Sequence, residues 1–313
     1  MAYQNVGTPR FYINVLEWLE TVGYFATTGA AIENHFRTLP VNPQLYWGEF
    51  AYDIPNVLGT ENFIAILGHE LATDNNNYSL LNWSGDSEIV NGAPATGYNG
   101  FSISIFTNQL EHISPRFETY ESNIGSVIIG TYYDMPNAPN LSLTMSREYG
   151  GTKEITTHNG GSMSNAMWSK PYKWGSLGAW ELGDSNPALS RSGRKTWDLK
   201  FSYMDDSDLW GSNQAISISR QDPYDGLDDA DTNAPNNPNV QGNFEYTILT
   251  DTNFFSQVWH KTLGGTLPFI FQPDKNNNNP DQFAICKFKN NSLKATQSAF
   301  NVYDISLSIE EVW

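Results

Sequence analysis

Cysteine, positive charge and long apolar runs are what this 313-residue chain has least of, and each shortage excludes something. One cysteine, Cys286 in FAICKF, rules out an internal disulfide and reads as a small buried hydrophobe in a strand. Only 16% of residues are charged, which argues against long, charge-laced helices. Seventeen Lys and Arg face 34 Asp and Glu, a formal net charge of −17. Such a surface repels phosphate backbones, so no direct nucleic-acid binding is expected. No apolar run approaches a membrane span and no basic-then-apolar leader opens the chain. Membrane insertion is therefore not expected, and the protein should act where it is made or leave by lysis or assembly.

Catalytic signatures are equally scarce. None of the five histidines (His35, His69, His112, His158, His260) lies three to five residues from another, so no local zinc pair exists. His69-Glu70 opens like a zinc-protease motif, but LATD comes next and the second histidine is missing. No GxSxG, Walker or GxGxxG segment occurs. GGSMS at 160–164 resembles a serine-nucleophile segment only superficially and reads as a loop. A glycosidase needs two carboxyls about 5–10 Å apart, and 34 acids offer no sequence criterion for choosing them. The expectation is no enzyme, with no catalytic, cofactor or metal residues. One acidic stretch is kept open. DPYDGLDDADTN spaces Asp222, Asp225, Asp228, Asp229 and Asp231 so that oxygens could converge on calcium, although the EF-hand order is absent and a solvated loop is the simpler reading.

What is abundant is turn chemistry and short apolar alternation. The opening GTPRFYINVLEWLETVGYF reads as a strand running into a short helix, or as one helix throughout. Residues 40–60, with three prolines and two glycines, read as an irregular connection. ENFIAIL gives a compact strand stopped by Gly68, and SNIGSVIIGTYY a second buried one. GFSISIFTN sets Phe101, Ile103 and Ile105 against Ser102, Ser104 and Phe106. In RKTWDLKFSYM, Trp197, Leu199, Phe201 and Tyr203 oppose Lys195, Asp198, Lys200 and Ser202, with a slip at Thr196. Residues 221–243 form a polar loop, functional or mobile at that length.

One helix stands out at 252–263. It starts at Asp-Thr-Asn and stops at Gly264, with Phe254, Phe255, Val258, Trp259 and Leu263 on one face. TLPFIFQPD and FAICKF read as a β pair, and NVYDISLSIEEVW as a bent final strand through Val302, Ile305, Leu307, Ile309 and Val312. The helix stripe and the final Trp313 look too apolar for one monomer to cover, which suggests self-association. The class is mainly β: two β-sandwich or barrel modules, with an N-terminal arm over 1–50, a sandwich over 51–150 and a second module over 151–313. Of ten tryptophans, Trp197 and Trp259 pattern as core; Trp168, Trp174, Trp180 and Trp210 lie among glycines and serines and are expected to be surface anchors.

Several of these segments resemble phage proteins. ENFIAILGHEL with its Asn-rich turn, then IGSVIIGTYYDMPNAPNLSLT, is similar to galactose-binding-like jelly rolls of phage tails and fibres. RSGRKTWDLKFSYMDDSDLW, TNFFSQVWHKTLGG, PFIFQPD, FAICKFKNNS and the ending NVYDISLSIEEVW resemble the C-terminal part of distal tail and other minor tail proteins. The resemblance covers about half the chain and consists of scaffold patterns, with no ligand-loop residue matched. It implies a virion structural protein, a minor tail or tail-tip/baseplate adaptor component forming a homo-oligomeric ring. Such a protein is assembled in the host cytoplasm and partnered by copies of itself and neighbouring tail proteins. The alternative is a carbohydrate-binding module or host-receptor-binding tail protein that meets a host surface glycan.

Overall fold

The computed structural model describes residues 6–24, 36–39, 44–46, 52–55, 57–67, 78–82, 87–92, 96–98, 101–107, 112–117, 122–148, 152–166, 173–174, 177–178, 194–210, 248–249, 251–278 and 282–312. Two strand-forming runs start the main sheet. The first, β1 (Arg10–Asn14), passes straight into helix α1 (Val15–Thr21), with the Asn14 side chain capping by accepting from the Glu17 N–H. The strand-then-helix reading of the opening therefore holds. The other main-sheet strands before residue 150 are β2 (Asn62–Leu67), β3 (Thr96–Tyr98), β4 (Phe101–Phe106), β5 (Ser126–Asp134) and β6 (Thr144–Glu148).

Next come β7 (Thr152–Thr156) and β8 (Ser162–Ala166), which pair only with each other. The main sheet resumes with β9 (Arg194–Asp205), β10 (Phe269–Gln272), β11 (Ala284–Phe288), β12 (Ala295–Ala299) and β13 (Val302–Glu311). The eleven main-sheet strands lie in the order β6-β9-β13-β11-β10-β1-β5-β2-β4-β3, with β12 added on β13. Their pairings are antiparallel, so the protein is mainly β. Strands from all three expected segments share this sheet, joined where β1 pairs with β5 on one side and β10 on the other. A four-stranded sheet of 52–53, 112–117, 78–82 and 87–92 lies apart from it.

Side-chain alternation splits the main sheet into two faces. Phe11, Ile13, Val127, Ile129, Phe269 and Phe271 point to one; Tyr12, Ile128 and Ile270 point to the other. The first face is covered by α1 and Ile113 of the small sheet at one end, and by Phe254, Val258 and Trp259 at the other. One glycine is required by the close fit. A Cβ on Gly130 would lie 1.8 Å from the Ile13 carbonyl oxygen and 2.8 Å from the Val15 nitrogen, where β1 turns into α1.

Three sequence expectations need correction. In β9, Tyr203 does not continue the buried row of Trp197, Leu199 and Phe201. A bulge between Phe201 and Met204 puts Tyr203 into solvent at 81% exposure and φ 63°, and buries Met204 in its place. The 252–263 helix forms as a π-helical turn, Phe255–His260, with Asn253 Oδ1 accepting from the Ser256 N–H. Its wider turn shifts the phase of the residues after it, so that Lys261 is buried while Leu263 adopts φ 52° and is exposed. Phe254, Val258 and Trp259 of its apolar stripe are covered within the chain, with Phe11, Tyr133 and Phe288 around Phe254 and Trp259. The final strand is likewise covered: Ile305, Leu307 and Ile309 are buried between β9 and β11. Residues 221–243, with their five aspartates, and Trp313 lie outside the described residues.

Candidate functional site

Two regions hold chemistry out of the ordinary, a buried polar seam and an exposed surface. The seam lies where the π-turn meets α1 and Val57. Lys261 is fully buried, and its Nζ donates to the Val57 carbonyl (2.9 Å) and to Gln257 Oε1 (2.8 Å). Both acceptors are neutral, so burial pushes the ammonium pKa down to about 7. Beside it, the half-buried His260 ring meets Trp18 edge-on at 5.6 Å. Burial first, and the Lys261 charge second, push His260 below its usual range. The Trp18 indole N–H finds no hydrogen-bond partner among the described residues.

A second buried ionisable group, Glu17 of α1, accepts from the Thr38 N–H (3.0 Å) and hydroxyl (2.7 Å). Burial raises its pKa and those two bonds oppose the rise. Lys261 and Glu17 thus act as polar clips, tying 57 and 38 to helices far away in sequence. Among the described residues, no three of His, Cys, Asp and Glu come together to hold a metal. No helix among them is long and apolar enough to cross a membrane.

The exposed region has two parts, one at the Asp205 end of β9 and one in the ribbon that follows β6 in sequence. At the Asp205 end, the turn between β12 and β13 holds Phe300, which is 87% exposed, and Asn301 at φ 57°. Val302 pairs with Asp205, and the Asp206 N–H donates to the Asn301 carbonyl (3.1 Å), which fixes this turn beside Tyr203. A non-glycine residue at φ 63° costs about 1 kcal/mol; here that conformation turns an aromatic ring outward. Leu141 adds to the same end, because Asn140 bonds the Lys200 carbonyl and the Ser202 hydroxyl. Asp205 and Asp206 give this apolar end a negative rim.

At the other end Glu148 pairs with Arg194, and beyond Glu148 comes the β7–β8 ribbon. From Lys153 to Asn165 every side chain is exposed except half-buried Thr157. Thr157 braces the turn by exchanging hydrogen bonds with Gly161, while Gly160 supplies φ 76°. Ile155 lies opposite Met163, and Lys153 opposite Asn165, on one face. Glu154, the ribbon's one acid, is on the other face and accepts from the Ser162 hydroxyl. GGSMS, expected as a loop, is thus the turn and first half of β8.

The remaining sequence candidates are dispersed. Cys286 is buried in β11, and burial drives its thiol pKa well up. Trp197 and Trp259 are core residues. Trp210, expected as a surface anchor, is half-buried and packs on Phe255 at 5.7 Å. His158 is exposed in the ribbon turn. Of Trp174 and His112 only the backbone is described, and Trp168, Trp180, His35 and His69 lie outside the described residues. Sequence reasoning missed Lys261, Glu17 and the ribbon; only the Thr/Ser-rich alternation of 152–166 signals the last. No family model, no curated protein and no solved structure matches the chain.

Proposed function

We propose that this chain is a structural protein of a phage virion, a minor tail or tail-tip component that works as a homo-oligomeric ring, without catalytic activity. One observation carries the self-association. The β7–β8 ribbon stands in solvent with its side chains uncovered, hydrogen-bonded to no third strand among the described residues. A lone two-stranded ribbon is marginal in water and gains its stability from a further strand or a packed surface. A well-braced ribbon of this kind is what an assembly protein offers to a neighbour. The place in a virion tail rests on the resemblance of the strand and helix segments to minor tail proteins, and the acidic surface suits a particle through which DNA slides.

A second reading draws on the exposed rings of Tyr203 and Phe300, which could stack on a sugar of the host surface. Sedimentation of the purified protein over a wide concentration range tests the first reading. A growing homo-oligomer, found also in the assembled particle, is the expected result. A monomer at every concentration that is absent from particles and is retained on a glycan array gives the second reading instead.

A further inference from the structure

We infer that the β7–β8 ribbon of one copy docks on the Tyr203–Phe300 end of the next copy, a head-to-tail contact between two different surfaces of the same chain. This rests on the self-association reading above and adds the contact by which it happens.

The two surfaces are matched in chemistry. The ribbon face of Lys153, Ile155 and Met163 offers two apolar side chains, 51% and 66% exposed, and one ammonium. Its acid, Glu154, is turned to the opposite face and held by Ser162. The receiving end offers the exposed Tyr203, Phe300 and Leu141 beside Asp205 and Asp206. Asp205 stands before helix α2 (Asp206–Leu209) with no capping bond from its side chain, so its carboxylate is available to an incoming ammonium.

The charges of the described residues decide which surfaces meet. On the ribbon's docking face the charge is that of Lys153, with Glu154 turned to the opposite face. At the receiving end Asp205 and Asp206 follow one another where β9 passes into α2. Two copies set ribbon face to ribbon face would oppose Lys153 to Lys153, and acidic end to acidic end would oppose Asp205 and Asp206 to the same pair. Ribbon to acidic end brings opposite charges together. Because the surfaces differ, after the first contact one copy keeps its receiving end free and the other its ribbon. The contact is therefore heterologous and closes into a ring or runs on as a filament.

The test uses the full chain with substitutions at exposed positions. Met163→Asp on the ribbon and Phe300→Asp on the receiving end should each weaken self-association at least tenfold, with near-ultraviolet circular dichroism unchanged. An equimolar mixture of the two should form dimers and nothing larger, since one intact ribbon meets one intact end. Lys153→Glu and Asp205→Lys should each weaken association too, and the two combined in one chain should restore it. This charge exchange serves as the second test should either apolar variant lose its fold. Wild-type oligomers that persist in all four single variants would overturn the docking contact and leave the ring reading standing. Variants that stay monomeric when mixed, with no recovery in the charge exchange, would also overturn it. A wild-type protein that is monomeric throughout would overturn the ring reading, and this contact with it.

Discussion

Lys261 and Val57, 204 residues apart, are joined by a 2.9 Å hydrogen bond from a buried ammonium to a backbone carbonyl. That bond and its partner to Gln257 fix the π-turn against Val57, with no carboxylate among the described residues to balance the charge. The consequence for stability has a definite sign. The folded pKa is lowered from 10.5 to about 7, so between those values the unfolded chain holds a proton that the folded chain has released. The stability present above 10.5 is lost as pH falls toward and through about 7. Against a Lys261→Met variant, which does not titrate there, the wild type should lose roughly 1.4 kcal/mol per pH unit across that window. Urea unfolding of both proteins at several pH values measures the gap, and a gap independent of pH would contradict the buried, uncompensated ammonium.

Gly130→Ala tests the junction of β1 and α1. The added methyl would stand 1.8 Å from the Ile13 oxygen, a backbone atom in paired register that cannot swing aside. A loss of about 3 kcal/mol or more is expected, mostly from overpacking. Gly59→Ala, with nothing within 4 Å of the new Cβ, should stay within about 0.5 kcal/mol of wild type. Equal urea midpoints for the two variants would mean that β1 and β5 are not this close.

The bulge in β9 makes opposite predictions for two neighbouring aromatics. Phe201 is fully buried and Tyr203 is exposed at φ 63°. Phe201→Ala should cost about 3–5 kcal/mol through the cavity it leaves. Tyr203→Asn should cost nothing, or add about 0.5 kcal/mol, because asparagine tolerates the left-handed region better than tyrosine. Comparable losses at both sites would place Tyr203 in the core, as strict alternation has it.

That pair shows how far sequence alone reaches here. Alternation identifies β9, and its burial, correctly from Trp197 to Phe201, because period-two patterning reports a regular strand. It fails at Tyr203 because a bulge is one inserted residue with no compositional mark in FSYMD. The same kind of phase error misplaces Leu263, whose place inside is taken by Lys261. A helix starting at Asn253 and stopping at Gly264 is legible from its cap residues, but the π-turn that exchanges those two side chains is not. In β4 the alternation is right but does not decide burial: Ser102 and Phe106 are buried, Ile103 is half-buried against a core cluster, and Ile105 is exposed on a strand close to the sheet's edge. The ribbon stays hidden for a different reason. It has no apolar core of its own, and core patterning is the signal that sequence reading detects best.

Asp134 and Arg10 face each other in register where β5 ends and β1 begins, and their pairing leads to the last prediction. The guanidinium donates through Nε to Oδ1 (2.5 Å) and through Nη2 to Oδ2 (2.9 Å), while Lys275 reaches Oδ2 at 3.3 Å. Arg10 also stacks over the Tyr132 ring, 4.3 Å from its centroid. Burial, the largest single influence, would raise the Asp134 pKa, but the bonds and charges of Arg10 and Lys275 together outweigh it and hold the carboxyl below 3.8. A lowered folded pKa contributes stability that is present above 3.8 and lost as pH falls through the folded value. Asp134→Asn should therefore cost about 1–2 kcal/mol at neutral pH, less in high salt because the pair is partly exposed. The cost should shrink as acid protonates the wild-type carboxyl. Arg10→Lys should lose part of the same stability at neutral pH, since an ammonium cannot make both bonds or keep the planar stack on Tyr132. Unfolding curves of the three proteins at neutral and acid pH decide the matter. An Asp134→Asn cost that stays constant into acid would assign the effect to packing at the β1–β5 end and not to the charge.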